Sequence, residues 1–397
     1  MEYKKTQRTI NLMELFFMAG TSAAAYNVVL FTNAGMDSVT IGYIMSLNSV
    51  IGMLCPPLFG MLSDRMGSAR KGFLLTLGIS AVLWLAIPFT TSVKLMGLPL
   101  AVYLILTGNV FQSSSNPLID SWILQLQEAE PRVVHARARK YGSLGYGVMC
   151  ILSTYWVSAF GAHVAYLSLP IAMVFLLLLS RNVGDPPVAE EQRREGGNKL
   201  QVGRVLKNYY LMTQFLCLIV LWMPFLCSYT MIPYLIREIG GNDAIVGQVV
   251  GWRAILEVPA FMMVPFLFKK FNPQVILPLF FSYYALEQFL LSGAGSVPMI
   301  IVIMMVSGVV YAVVTGTNLL YVNSLAPAGL KSTAVTINGA VMGLSGILGQ
   351  LLVGYLVKGI GIRGCCVVIG IMVLVAAAAL VVFQLVGKKK GIPVQPL

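Results

Sequence analysis

Apolar residues run through this chain in long blocks. They fall at 9–33, 39–62, 72–92, 97–126, 140–161, 163–181, 208–235, 244–268, 274–295, 297–324, 331–357 and 362–386. Each approaches or exceeds the roughly 20 residues that a helix needs to cross the hydrocarbon of a bilayer. A transmembrane barrel would instead show segments of about ten residues that alternate apolar with polar, and runs such as IAMVFLLLLS from Ile171 to Ser180 do not alternate. The pattern therefore predicts an all-α membrane protein with twelve transmembrane helices.

The polar interruptions carry the organisation. The longest, 182–207, reads NVGDPPVAEEQRREGGNKLQVGRVLK and divides the chain into 1–181 and 208–397, with six predicted spans on each side. Weak internal similarity supports two related halves. GMDSVTIGY at Gly35, opening the second span, resembles GNDAIVGQ at Gly241, opening the eighth, and PPLFGMLSDRMG at Pro56 resembles VPFLFKKFNP at Val264. Transporters are commonly built from such repeats. Two pseudo-symmetric six-helix bundles joined by a cytoplasmic loop are expected.

Composition agrees with the pattern. The 397 residues are 57% hydrophobic and 11% charged, against about 45–50% and 25% in soluble domains. Most Lys and Arg gather in alternate polar segments: Lys4, Lys5 and Arg8; Arg65, Arg70 and Lys71; Arg132, Arg137, Arg139 and Lys140; Arg181, Arg193, Arg194, Lys199, Arg204 and Lys207; Lys269 and Lys270; Lys331; and Lys388 to Lys390. Lys94, Arg237, Lys358 and Arg363 fall on the opposite side, and Arg253 lies within a span. Positive charge marks cytoplasmic loops, so both termini are expected inside the cell membrane. The net charge of +12 then reflects topology and attraction to anionic lipid. Dispersed in short loops, these charges do not make a nucleic-acid surface. The first apolar run holds Glu14 and Asn27 with no small-residue cleavage site after it, and reads as a retained helix.

Polar residues within the spans are the candidates for function, since such groups facing lipid are costly. In the fourth span Asn109, Gln112, Asn116 and Asp120 share one helical face, with Pro117 as a possible kink point. In the fifth, Arg139 and Tyr146 share a face. Trp252 in the eighth span, with Tyr311 and Asn318 in the tenth, completes the candidate substrate set. Arg253 and Glu257, four residues apart, can pair on one face. Glu257, Asp120, Glu287 and Glu14, in that order, are candidates for carrying a proton across. The six Cys all fall in spans and lack metal-ligand spacing, so they are read as packing residues and no metal site is expected. No phosphate-binding loop and no large extramembrane domain are present, so neither an enzyme nor a cofactor is expected.

The segment GMLSDRMGSARK, from Gly60 to Lys71, matches at every specified position the signature Gly-x-Leu-Ser/Ala-Asp-Arg-x-Gly-x-x-x-Arg/Lys that lies between helices two and three of the major facilitator superfamily. Physically, Gly60 and Gly67 would allow close approach and a tight turn, Asp64 could cap a neighbouring helix, and Arg65, Arg70 and Lys71 stay in cytoplasmic water. The resemblance implies that Gly60, Asp64, Arg65, Gly67 and Lys71 form a gating loop. RKGFLL after that segment and RARKYGSLGYG at Arg137 resemble the branch that includes lactose, nucleoside and phenylpropionate permeases. That branch implies that Asp120 and Arg139 grip a polar substrate, that Tyr146 stacks on it, and that Glu257 links recognition to proton movement. The superfamily has many monomers, and a monomer is expected. The likeness covers most of the N-terminal half and much less of the C-terminal half. One departure is clear: the tenth span, YAVVTGTNLLYVNS, lacks the His and Glu of the lactose permease relay, and both His, His135 and His163, are expected in loops. Carboxylates alone are thus expected to move protons.

These readings converge on a secondary active transporter, a proton-coupled symporter of a small polar solute such as a sugar, oligosaccharide or nucleoside. A proton-coupled efflux carrier for amphipathic compounds is the second reading, kept open by Phe16, Phe17, Trp222, Tyr229 and Met231. A receptor or scaffold would have no use for buried carboxylates.

Overall fold

A computed structural model of the protein describes residues 2–186, 202–327 and 330–392. Most of the 182–207 linker, with Arg193, Arg194 and Lys199, lies outside them. The first apolar block is α1 (Glu2–Gly20), a 3-10 segment (Thr21–Tyr26) and α2 (Asn27–Asn33). There follow α3 (Ser38–Met66), α4 (Ala69–Thr90), a minimal hairpin of β1 (Lys94–Leu95) and β2 (Leu98–Pro99), α5 (Leu100–Ala129) and α6 (His135–Phe160). A second 3-10 segment, Ala162–Leu167, runs into α7 (Ser168–Ser180). Beyond the linker come α8 (Tyr209–Leu221), α9 (Met223–Glu238), α10 (Val246–Lys270), α11 (Pro273–Ser292), α12 (Val297–Leu325) and α13 (Lys331–Lys389).

Short polar side chains start these helices by accepting the amides that a first turn leaves unpaired. Ser68 accepts the Lys71 amide at 3.0 Å to open α4. Asn208 accepts those of Tyr210 and Leu211 to open α8. Asn272 accepts that of Gln274, with Pro273 in the first position of α11. The two openings that resemble each other in sequence are both capped, one position out of register: Asp37 accepts the Thr40 amide before α3, and Asn242 that of Ala244 in the 3-10 turn Asp243–Ile245 that leads into α10.

Ten helical segments among the described residues are long and apolar enough to cross a membrane. Two features separate that number from the expected twelve. The 30-residue α5 is not among the ten, its apolar run being broken by the polar stripe from Asn109 to Asp120. The last segment, Thr333–Lys389, runs 57 residues across a break at Gly361, whose φ of +74° is a conformation that favours glycine. Exposed apolar side chains such as Val82, Phe89, Phe160 and Leu279 coat the helices, as contact with lipid requires. Pro117 leaves α5 helical from end to end. All six Cys are unpaired, five of them buried.

The chain forms two compact units. The first holds residues 1–36, 50–198 and 242–255, and the second 37–49, 199–241 and 256–397. The boundary is not a single cut, because α3 begins in the second unit and α10 in the first. Within the first unit α1 packs on α6 and α7, and α4 on α5. The α1–α6 seam is unusually close: a Cβ on Gly145 would stand 2.2 Å from the Leu15 carbonyl oxygen. Tyr26 ties in the start of α10, its hydroxyl donating to the Ala244 carbonyl at 3.2 Å. In the second unit α13 is the hub, packing on α8, α9 and α11. The start of α3 joins it where Ser38 donates to the Gly354 carbonyl at 2.9 Å.

Candidate functional site

The α1–α6 seam sets one carboxylate apart. Glu14 is 0% exposed, and neither carboxylate oxygen has a hydrogen-bond partner. Its nearest opposite charge is the Arg139 guanidinium on α6, 3.8 Å from Oε2. The close approach of the backbones puts it there, since a Cβ on Gly142 would lie 3.0 Å from that same oxygen. Arg139 in turn donates to Asn116 Oδ1 on α5 at 3.0 Å. One turn of α5 further on, Asp120 Oδ1 lies 2.9 Å from His135 Nε2.

The loop that delivers His135 is fixed on both sides. Gln7 on α1 accepts the Val134 amide at 2.7 Å and donates to the Val134 carbonyl at 3.3 Å. The His135 amide donates to Gln127 Oε1 at 2.8 Å. Outside the membrane spans, Glu130 forms a two-pronged pair with Arg132, which holds its carboxyl at about 2. His135 is thus the first residue of α6 and not a loop residue, and a histidine stands beside the carboxylates after all. The signal was present in the sequence: His135 and Arg139 are four apart and so share a face of the fifth helix.

Side-chain exposure falls from 40% at Arg139 through 28% at Asp120 and 24% at His135 to 0% at Glu14. The cluster thus sets three partly exposed groups beside one sealed carboxylate. The sequence showed no metal-ligand spacing, yet the fold brings ligand atoms of Glu14, Asp120 and His135 within 4.8 Å of one another. They are close enough to surround one cation, and a proton moving between Glu14 and the other two would need the groups to approach, since neither Glu14 oxygen is hydrogen-bonded. Arg139 already supplies positive charge at Glu14, so a proton fits the charge balance better than a divalent ion.

The rest of the expected set is placed more widely. Gln112 is half-buried on α5, and Asn109 is buried and bonded. Tyr146, half-buried on α6, hydrogen-bonds with the Cys150 side chain one turn on. Trp252 is exposed in the first unit, beside the buried Arg253. Glu257 is half-buried in the second unit. There too, Glu287 on α11 is 0% exposed, and its Oε1 accepts from Gln288 Nε2 at 3.5 Å. Tyr311 stacks on Phe225 with ring centres 3.8 Å apart. Asn318 is 1% exposed, accepting from Gln214 Nε2 and donating to Asn338 Oδ1.

The segment from Gly60 to Lys71 is mostly helical, the end of α3, a turn at Gly67 and Ser68, and the start of α4, and Ser68, not Asp64, caps α4. Asp64 is exposed, and its backbone carbonyl accepts the Gly67 amide. Gly67, at φ +65°, makes the turn, whereas no atom would crowd a Cβ on Gly60, so close approach does not explain that residue. Arg65 and Lys71 are exposed, and Ser68 Oγ also donates to Asp185 Oδ2 at 2.7 Å.

The helical membrane scaffold has the same fold as solved structures of low sequence identity. A variant of the nucleoside transporter NupG superposes with a TM-score of 0.80 at 17% identity, covering 96% of this chain and 99% of that one. A D-xylose-proton symporter gives 0.71 at 14% identity, covering 96% and 97%. Residues 10–365 match the MFS_1 like family, and the chain belongs to it. Among curated relatives, a maltose permease of Geobacillus stearothermophilus is 28% identical over 393 residues, covering 94% of this chain and 95% of its own length. An uncharacterized transporter of Bacillus subtilis (strain 168), YwbF, is 21% identical, covering 82% and 79%. The protein is an integral membrane transporter of small solutes.

Proposed function

We propose that the protein is a proton-coupled symporter that takes up a sugar of the maltose class by alternating access, with both termini in the cytoplasm. The observation that carries the coupling is Glu14: a sealed carboxylate whose nearest charge partner is a guanidinium 3.8 Å away. When Glu14 takes a proton it becomes neutral and Arg139 is released to its other partner, Asn116; when it loses the proton it holds Arg139 electrostatically. The charged groups facing it are Arg139 and His135 on α6 and Asp120 on α5, while α7 presents none. Arg139, Asn116 and Asp120 offer donors and acceptors suited to hydroxyl groups, with Tyr146 one to two turns along α6 as an aromatic face. The likeness to a maltose permease along nearly the whole chain favours a sugar over a nucleoside.

The test is reconstitution in liposomes, with a panel of maltose-class sugars, nucleosides and aromatic acids and a pH gradient imposed in each direction. Sugar accumulation driven by an inward proton gradient is the expected result. Glu14→Gln should lose that accumulation while retaining exchange of labelled for unlabelled sugar, and Asp120→Asn should lose binding. Export of amphipathic compounds without sugar uptake would replace this reading with an efflux carrier.

A further inference from the structure

The cluster contains a group to which the proposed function gives no contact with solute. His135 points its Nε2 at Asp120, not at Arg139 or Asn116. It begins α6 at the end of the seam where Arg137, Arg139 and Lys140 gather, the side that positive charge assigns to the cytoplasm. Its ring is partly open to solvent, while Glu14, within 4.8 Å through the same set of ligand atoms, is closed. The main chain of His135 is pinned by Gln127, and that of Val134 by Gln7. Imidazole is the side chain that exchanges protons with water near neutral pH without a large change in its surroundings.

We infer that the His135–Asp120 pair is the port through which the proton on Glu14 leaves for the cytoplasm. The inference rests on the symport reading above. The proton departing Glu14 passes to the pair, giving an imidazolium opposite the Asp120 carboxylate. The imidazolium then loses one proton to water, and Glu14, left charged, closes on Arg139. The cluster as a whole gives up one proton, the one that Glu14 carried. The facing charged groups are Asp120 from α5, Glu14 from α1 and Arg139 from α6 itself. His135 acts here as a positioning and relay residue and makes no contact with solute.

Two variants test it in liposomes. His135→Gln removes the titrating group, and His135→Arg keeps a positive partner for Asp120 that does not give up its proton. Both are expected to keep sugar counterflow, which needs no net proton movement, and to melt like the wild type. Both should lose gradient-driven accumulation by about tenfold or more, short of the largest losses for missing acid–base groups because water also reaches Asp120. The pH dependence of net uptake between about pH 5 and 8 should flatten with them. Wild-type accumulation and pH profile in either variant would overturn the inference alone. So would loss of counterflow in both variants, the result of a purely structural role. Wild-type protein indifferent to the gradient would remove the symport reading and this inference together.

Discussion

Glu14 in the first unit and Asn318 in the second are equally hidden, at 0% and 1% exposure, yet their surroundings are opposites. Asn318 has two amide partners at hydrogen-bond distance and belongs to a chain running from Gln214 on α8 through α12 to Asn338 on α13. Every member is neutral, and each bond links two helices. Glu14 has no hydrogen-bond partner on either oxygen and only a long contact to a guanidinium. A neutral network that satisfies itself glues helices, for about 0.6 kcal/mol per bond in membranes. A carboxylate left short of donors is retained at a cost, and that cost points to work done on a proton or a solute. Burial alone does not distinguish the two residues; what does is an unsatisfied charge beside partly exposed ionisable groups.

The sharpest way to break this contrast is to open the seam that creates Glu14's surroundings. In Gly145→Val the new Cβ would meet the Leu15 carbonyl oxygen at 2.2 Å and its Cα at 3.0 Å, and backbone has no rotamer in which to escape. Overpacking of this kind costs about 1–3 kcal/mol and occasionally more. Transport and yield of folded protein should both collapse. Gly339→Ala on α13, where nothing lies within 4 Å, should be silent in both measurements. If Gly145→Val transported normally, the tight α1–α6 approach would not be what holds Glu14 beside Arg139.

The second unit is probed by Asn318→Ala, which strands Gln214 and Asn338. Leaving buried polar groups without partners costs about 1–3 kcal/mol. The expected outcome is a lower melting temperature with unchanged solute KM. The reverse pattern, KM raised with stability intact, would return Asn318 to the substrate set in which its helical position had placed it.

How far the sequence reaches is visible in these same residues. Apolar blocks located nearly all the helices, because block length and helix length are tied by the thickness of a bilayer. The stripe on α5 and the face shared by Arg139 and Tyr146 were legible from spacing alone. His135 was misplaced in a loop because the α5–α6 connection is only a few residues long, so α6 starts earlier than its apolar run. The cap of α4 went to Ser68 because the first turn needs an acceptor at the residue before it, whereas Asp64 still lies within α3. What spacing within one helix does not reveal is which helix packs against which. That Glu14 on α1 meets Asp120 on α5 and His135 on α6 is a property of tertiary packing, and the relation between residues 14, 120 and 135 has no period.

The smallest effect is expected at Asp37, an exposed carboxylate that serves as a control for the buried one. The Thr40 hydroxyl, the Thr40 amide and Lys358 Nζ at 3.4 Å together hold its carboxyl below the usual range, the hydroxyl contributing most. A lowered native value means that the ionised form stabilises the fold at any pH above the ordinary carboxylate range near 3.9. That contribution disappears only as the medium is acidified through the native value. At physiological pH it is present and constant. Because the pair is solvent-screened it is worth a few tenths of a kcal/mol, and Asp37→Asn should shift melting by less than about 2 °C. The pH dependence of sugar uptake between about pH 5 and 8 should be untouched, since Asp37 does not change charge there. A flattened pH profile in Asp37→Asn, with Glu14→Gln behaving as wild type, would move the coupling site out of the α1–α6 seam and to the start of α3.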